Sequence, residues 1–223
     1  EIRGRGKGDR RGGAEDLWVL GSHVMDMIRF FAGDPVNCSA EMLKGGKPVT
    51  VEDIHEGAEG LGPLAGDELH ARFRMENGVM ATFDSIANDD TSNFGFGLQL
   101  IGSGGIIAIR ADRDPLAHLV TGNPFMPPGS PREWQPITTR GVGRKEDRPE
   151  LIREIHEHVV AVRDLIVAVD EGREPVCGLE EGAGTVEMIC AVFESHRQGG
   201  RAVAFPLGER GHPLERMREE GQK

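Results

Sequence analysis

The sequence predicts an α+β domain: an open, largely antiparallel β-sheet with helices packed on one face. Two observations carry this. Alternating apolar and polar segments follow one another and are joined by tight turns, Asn77-Gly78 and Gly102-Ser103-Gly104-Gly105. The order of elements is helix, several strands with hairpin turns, two helices, strand, which suits helices segregated to one side of an antiparallel sheet. The length of 223 residues is enough for a sizeable core.

The first helix is expected from about Gly13 to Ala32. Leu17, Leu20, Met27, Ile28 and Phe31 fall at helical spacing, Gly33 suits the closing position, and Pro35 prevents continuation. Val36 to Lys44 alternates and is β-like. Residues 45–66 are rich in glycine, proline and acids and read as a long loop. A hairpin follows, Glu68 to Met75 and Val79 to Ile86. A second strand-turn-strand unit runs from Phe94 to Ile101 and from Ile106 to Ala111. Leu116 to Val120 adds a short strand, and 122–136 is a proline-rich irregular loop. A long helix spans Pro149 to Glu171, with Leu151, Ile155, Val159, Val162, Ile166 and Val169 on one face. Glu180 to Gln198 is another helix, and Ala202 to Phe205 a last strand. Residues 1–207 read as one domain and 208–223 as a loose charged tail.

Composition narrows the function. A formal net charge of -11 argues against nucleic acid or an anionic membrane as the main partner. Arg3, Arg5, Lys7, Arg10 and Arg11 nevertheless cluster in the first eleven residues, as a solvated strand or as a hold on an anionic or polyhydroxylated ligand. Cys38, Cys177 and Cys190 are too few and scattered for a disulfide framework or a zinc site, which fits reduced thiols in a cytoplasmic protein. No apolar run approaches the ~20 residues that span a bilayer. The first residue is Glu1 rather than methionine, which leaves a removed export signal open. The absence of tyrosine removes every mechanism with a Tyr acid or base. The glycine-rich segments 4–8, 95–97 and 102–105 lack the strand, glycine turn and helix start of a dinucleotide fingerprint, so no cofactor-binding residue is expected here. No metal motif occurs.

The opening helix holds the candidate chemistry. His23 is a group that titrates near neutral pH, set among apolar residues. At ~100° per residue Asp16 and His23 share a face, about 10 Å apart along the axis. Both could border one pocket. Asp26, three residues on, is placed to meet the imidazole. The plainer alternative is a polar residue tolerated in the core. His156 and His158, two apart, point to different sides of their helix.

These residues resemble a family. Gly12-Gly13, then Leu20-Gly21-Ser22-His23, Asp26, Arg29-Phe30 and Gly33-Asp34-Pro35 are similar to the start of the C-terminal domain of the Gfo/Idh/MocA oxidoreductases. The resemblance continues through Asn77 to Phe83, Leu100 to Gly105, Glu187 to Ser195 and Gly200 to Val203. It implies an N-terminal Rossmann domain, absent from this chain, that binds NAD or NADP and carries a Glu-Lys-Pro lysine. It also implies a homo-oligomer formed through the sheet. The family's catalytic histidine maps onto His23, a general acid/base for a sugar, cyclitol or related polyol. The aspartate usually four residues before it is here Val19; Asp16 or Asp26 is the candidate substitute. Lys7, Arg11, Trp18 and Asp26 are the expected substrate-binding residues. The isolated chain is expected to bind no dinucleotide and to turn nothing over. The alternatives are a non-catalytic binding or assembly domain, marked by Val19, and NAD-assisted glycoside cleavage.

Overall fold

The computed structural model describes residues 1–88, 96–111 and 113–221. In chain order the elements are β1 (Ile2–Arg5), α1 (Ala14–Trp18), α2 (Leu20–Ala32), β2 (Pro35–Lys44), β3 (Lys47–Pro48), β4 (His55–Glu56), β5 (Pro63–Leu64), β6 (Glu68–Met75) and β7 (Met80–Ile86). Then come β8 (Gly97–Gly102), β9 (Gly105–Arg110), β10 (Ala117–Thr121), β11 (Gln135–Thr138), β12 (Gly141–Val142), α3 (Leu151–His156), α4 (Val159–Glu171), α5 (Leu179–Arg197), β13 (Val203–Ala204) and α6 (Pro213–Gly221). Phe94 and Gly95, expected to lead into β8, lie outside the described residues.

The main sheet has the order β12-β11-β10-β9-β8-β1-β7-β6-β2-β13, with β3 beside β2. Its pairs are antiparallel except β1 with β7, so the α+β expectation holds. Alternation decides which side chains face the helices. Leu69, Ala71, Phe73 and Met75 of β6 and Ala81, Phe83 and Ser85 of β7 are buried. Helix α2 lies over β1 and β7, and α5 lies over β2. Phe73, Phe83, Phe193, Met25 and Ile28 form the centre of the core.

Three expectations need correction. The opening helix is two helices, α1 and α2, meeting at Val19 (φ -86°, ψ -79°). The Ser22 hydroxyl donates to the Val19 carbonyl at 2.7 Å, a side-chain bond that competes with the helical ladder and bends it. The long helix 149–171 is likewise split, with His158 left-handed (φ 61°) between α3 and α4. Its apolar face is largely exposed, where the sequence suggests a buried stripe. The tail is not loose. Leu214 is fully buried, and α6 is pinned by Arg218 to Glu56, Arg216 to Glu194 and Glu220 to Arg197. A charged segment orders here because its charges have partners and one leucine reaches the core.

Candidate functional site

The core-facing row of α2 is Gly21, Val24, Met25, Ile28 and Ala32, at helical spacing. His23 lies off this row. It is exposed, where the sequence suggests a place on the buried stripe. Leu20 and Met27 are only partly buried and Phe31 is exposed, so the true phase of the helix differs from the one its largest side chains suggest.

The His23 ring leans on the Phe96 ring, with centroids 6.1 Å apart and planes 35° apart. The Phe96 carbonyl accepts the Ala111 N–H at 3.1 Å. The Ala111 carbonyl in turn accepts His156 Nε2–H at 2.6 Å. A second histidine, His156, is thus tied to the backbone at the end of β9, across from Phe96. Asp26, half-buried one turn along α2, has its carboxyl pushed up by burial, while the charges of Arg29 and His23 pull it down. No hydrogen bond joins Asp26 to His23 among the described residues. Burial pushes the Cys177 thiol up, and the charges of Asp26 and Glu181 add to the shift, which sets Cys177 near Asp26. Cys177 is distant from Asp26 in sequence, and only the fold brings it here.

Asp16 does different work. It is 4% exposed. Its carboxylate accepts the Ser85 hydroxyl at 2.7 Å and the Lys7 backbone N–H, yet burial pushes its pKa up to about 6. Ser85 also accepts the Gly13 N–H at 2.9 Å. Gly6 passes so close that a Cβ there would lie 1.9 Å from Asp16 Oδ2. Asp16 therefore clamps both ends of the segment 6–13 to β7. The expected face shared with His23 is not formed, because the chain bends at Val19 and Asp16 turns into the core.

The other expected site residues are also placed. Lys7 and Arg11 ride on the clamped segment; Lys7 is partly exposed, and Arg11 is exposed with Glu15 3.7 Å away. Trp18 turns toward α5 and α6. Its ring is 6.3 Å from both Phe193 and His212, and its indole N–H is buried without a partner among the described residues. Val19 is exposed at the bend. Among the described residues, no group of three or more His, Cys, Asp or Glu is placed to hold a metal ion. No described helix is long and apolar enough to cross a membrane.

Comparison with known proteins bears on this geometry. No curated protein sequence matches the chain. A levoglucosan dehydrogenase solved with NADH and L-sorbose matches the structure at TM-score 0.63 and 18% identity, over 92% of this chain and 58% of that one. An oxidoreductase domain protein from Kribbella flavida gives TM-score 0.64 and 19% identity, over 92% and 59%. The WlbA dehydrogenase from Bordetella pertussis, in complex with NADH and UDP-GlcNAcA, gives 0.55 and 15%, over 92% and 56%. At these identities the likeness is one of fold, and this chain spans less than two thirds of each. The family model for the C-terminal alpha/beta domain of the Gfo/Idh/MocA oxidoreductase family matches residues 5–205, and the chain belongs to that family.

Proposed function

We propose that this chain is the substrate-binding and catalytic portion of an NAD(P)-dependent oxidoreductase acting on a sugar, cyclitol or related polyol, with His23 as general acid/base. The observation that carries the reading is the exposed imidazole of His23, resting on Phe96 outside the core. A ring so placed can reach a substrate hydroxyl oxygen and take or return its proton. Asp26, one turn away on α2, lies close enough for its carboxyl to feel the His23 charge. Asp16 is a positioning residue, holding the segment that presents Lys7 and Arg11. A lysine or arginine there can hydrogen-bond several hydroxyls.

The glycine-rich segment 6–13, which leads from β1 into α1, packs on the buried Asp16 carboxylate and on Ser85, and a carboxylate in that place opposes a pyrophosphate. The cofactor is assigned to a separate nucleotide-binding domain. When bound there, the nicotinamide supplies the hydride acceptor. Self-association of this chain through its sheet belongs to the same reading.

The test is His23→Ala in the protein joined to its nucleotide-binding domain, with NAD(P)H formation followed across a panel of polyols. Loss of kcat by about 10²–10⁴-fold is expected, the usual share of a general base. Full activity in the variant removes His23 from the chemistry. Val19 favours a second reading, a binding or assembly domain. A valine exposed where the family carries aspartate has no proton to share, and a joined protein inactive on the whole panel supports this second reading.

A further inference from the structure

The start of α6 carries a histidine whose surroundings suit its uncharged form. His212 stands one residue before α6, in a slot between α1 and α5. Its ring lies 6.3 Å from the Trp18 ring, with planes 30° apart, and 5.4 Å from the Phe193 ring, with planes 33° apart. Trp18 and Phe193 are themselves 6.3 Å apart, so the three rings close on one another. Two residues on, Leu214 is fully buried. At the far end of the helix Gly221 sits so close to Val51 that a Cβ there would lie 2.9 Å from it. The first turn of α6 is therefore a plug, and His212 and Leu214 are the parts of it that reach inward.

Hydrogen bonding fixes which nitrogen holds the proton. Nδ1 accepts the Leu214 N–H at 3.3 Å, so the neutral ring keeps its hydrogen on Nε2. That Nε2 is buried without a partner among the described residues, and so is the Trp18 indole nitrogen. The slot thus offers these donors no acceptor that could compensate a charge. A second proton can enter only at Nδ1, where it turns the acceptor of the Leu214 N–H into a donor and breaks the bond that starts α6. Burial holds the ring's pKa below its usual value. The carboxylates of Glu215 on α6 and Glu56 on β4 pull it up, and the guanidinium groups of Arg216 and Arg218 on α6 pull it down. From α1 and α5 the ring meets Trp18 and Phe193. The nearby carboxylates of those helices are committed elsewhere. Asp16 on α1 accepts from Ser85, and Glu194 on α5 accepts from Arg197, Gln198 and Arg216. Burial works against the charge of Glu194, but these bonds hold its carboxyl below the usual value, so it stays charged where an imidazole titrates.

We propose that α6 is an acid-released latch: protonation of His212 at Nδ1 lifts the helix from the slot between α1 and α5 and uncovers Trp18, and loss of the proton seats it again. The sign follows from linkage. The docked ring has the lower pKa, so the released state binds the proton more tightly. Docking is at full strength well above about 6.5, the value of a free imidazole, and weakens as pH falls below it. Below the docked ring's own pKa, each further pH unit lowers the docking constant about tenfold, the weight of one proton. The ion pairs of Arg218 with Glu56, Arg216 with Glu194 and Glu220 with Arg197 hold the rest of α6 and set how far the pH must fall. The latch involves neither His23 nor the open face of the sheet, so it stands whether or not the His23 reading does.

The test uses the whole chain with Trp134→Phe, which leaves Trp18 as its single tryptophan. Quenching of Trp18 emission by acrylamide, an uncharged probe, is followed from about pH 8 to about pH 5, the range of an imidazole, together with far-ultraviolet circular dichroism. The quenching constant should rise severalfold and reversibly as pH falls, while most of the helical signal is retained. Leu214→Ser removes the buried plug and should give the open reading at every pH. His212→Asn keeps an acceptor for the Leu214 N–H but takes no proton, and should stay closed throughout. NMR titration of the His212 ring, assigned by the signal that His212→Asn lacks, should share the midpoint of the Trp18 change. A ring that titrates while acrylamide access stays constant overturns the proposal. So does a change that persists in His212→Asn, as titration of Asp16 at about 6 would give, or one whose midpoint differs from that of the ring. If His212→Asn is open at every pH, the comparison of midpoints decides.

Discussion

Strands β1, β2, β6 and β7 and strands β8 to β11 belong to one sheet and draw on similar apolar residues, yet the core lies mainly above the first set and reaches the second only through Leu98, Leu100 and Ile109. Phe73, Phe83, Leu69 and Met42 are fully buried there, against Met25, Ile28 and Phe193 of the helices. In the second set every residue of β9 is only partly buried, and α4 leaves Val162, Leu165, Ile166 and Val169 exposed. Apolar side chains left open in this way add little to stability. The molecule thus separates a half that holds it together from a half that stays open. His23 and Phe96 stand at the seam, one on the helix above β1 and the other at the entrance to β8.

The most damaging change is expected in the covered half. Phe83→Ala empties a fully buried site beneath α2, and such truncations cost about 3–5 kcal/mol. Urea unfolding should show a loss of that size. A loss below about 1 kcal/mol would mean that the covered half is no better packed than the bare one.

The next effect lies with Asp16, at the edge of the covered half. Its folded pKa of about 6 stands above the ~3.9 of an unfolded aspartate. The folded chain therefore holds this proton more tightly. The stability it contributes is fully present below about pH 4 and is lost as pH rises through about 6, at most about 3 kcal/mol in all. Asp16→Asn cannot titrate, so its unfolding midpoint should gain on the wild type as pH rises from about 4 to 7. A constant offset between the two across that range would show that Asp16 stays ionised throughout. Glu146, in the bare half, has the opposite sign. Hydrogen bonds from Thr139 hold its carboxyl down at about 2, so its contribution is present at neutral pH and lost only in strong acid.

Much of the covered half was legible in the sequence, because its strands alternate cleanly and Asn77-Gly78 fixes the hairpin between β6 and β7. His23 was legible through the residues around it. Its exposure was not, since Leu20, Met27 and Phe31 suggest a stripe that the core does not use. Asp16 was misleading for a related reason. An ideal helix puts it beside His23, whereas the Ser22 hydroxyl bends the chain between them. The α4 stripe was correctly periodic, but periodicity reports an apolar face and not what covers it. The tie of His156 to Ala111 and the approach of Cys177 to Asp26 depend on strand register and long-range packing, which no local pattern encodes.

The smallest expected effect tests the bare half directly. Leu165 and Ile166 are 52% and 57% exposed, so replacing both with serine removes little buried surface. The unfolding free energy should change by about 0.5 kcal/mol or less, as for other surface positions, with any lost helix propensity included. Fluorescence of a dye that binds apolar surface should fall in the same variant, because Val162, Leu165, Ile166 and Val169 form one contiguous patch on α4. Lower dye binding with unchanged stability sharpens the contrast with Phe83. A loss of stability comparable to Phe83→Ala would instead place α4 within the core, and the division of the sheet into a covered and a bare half would fail.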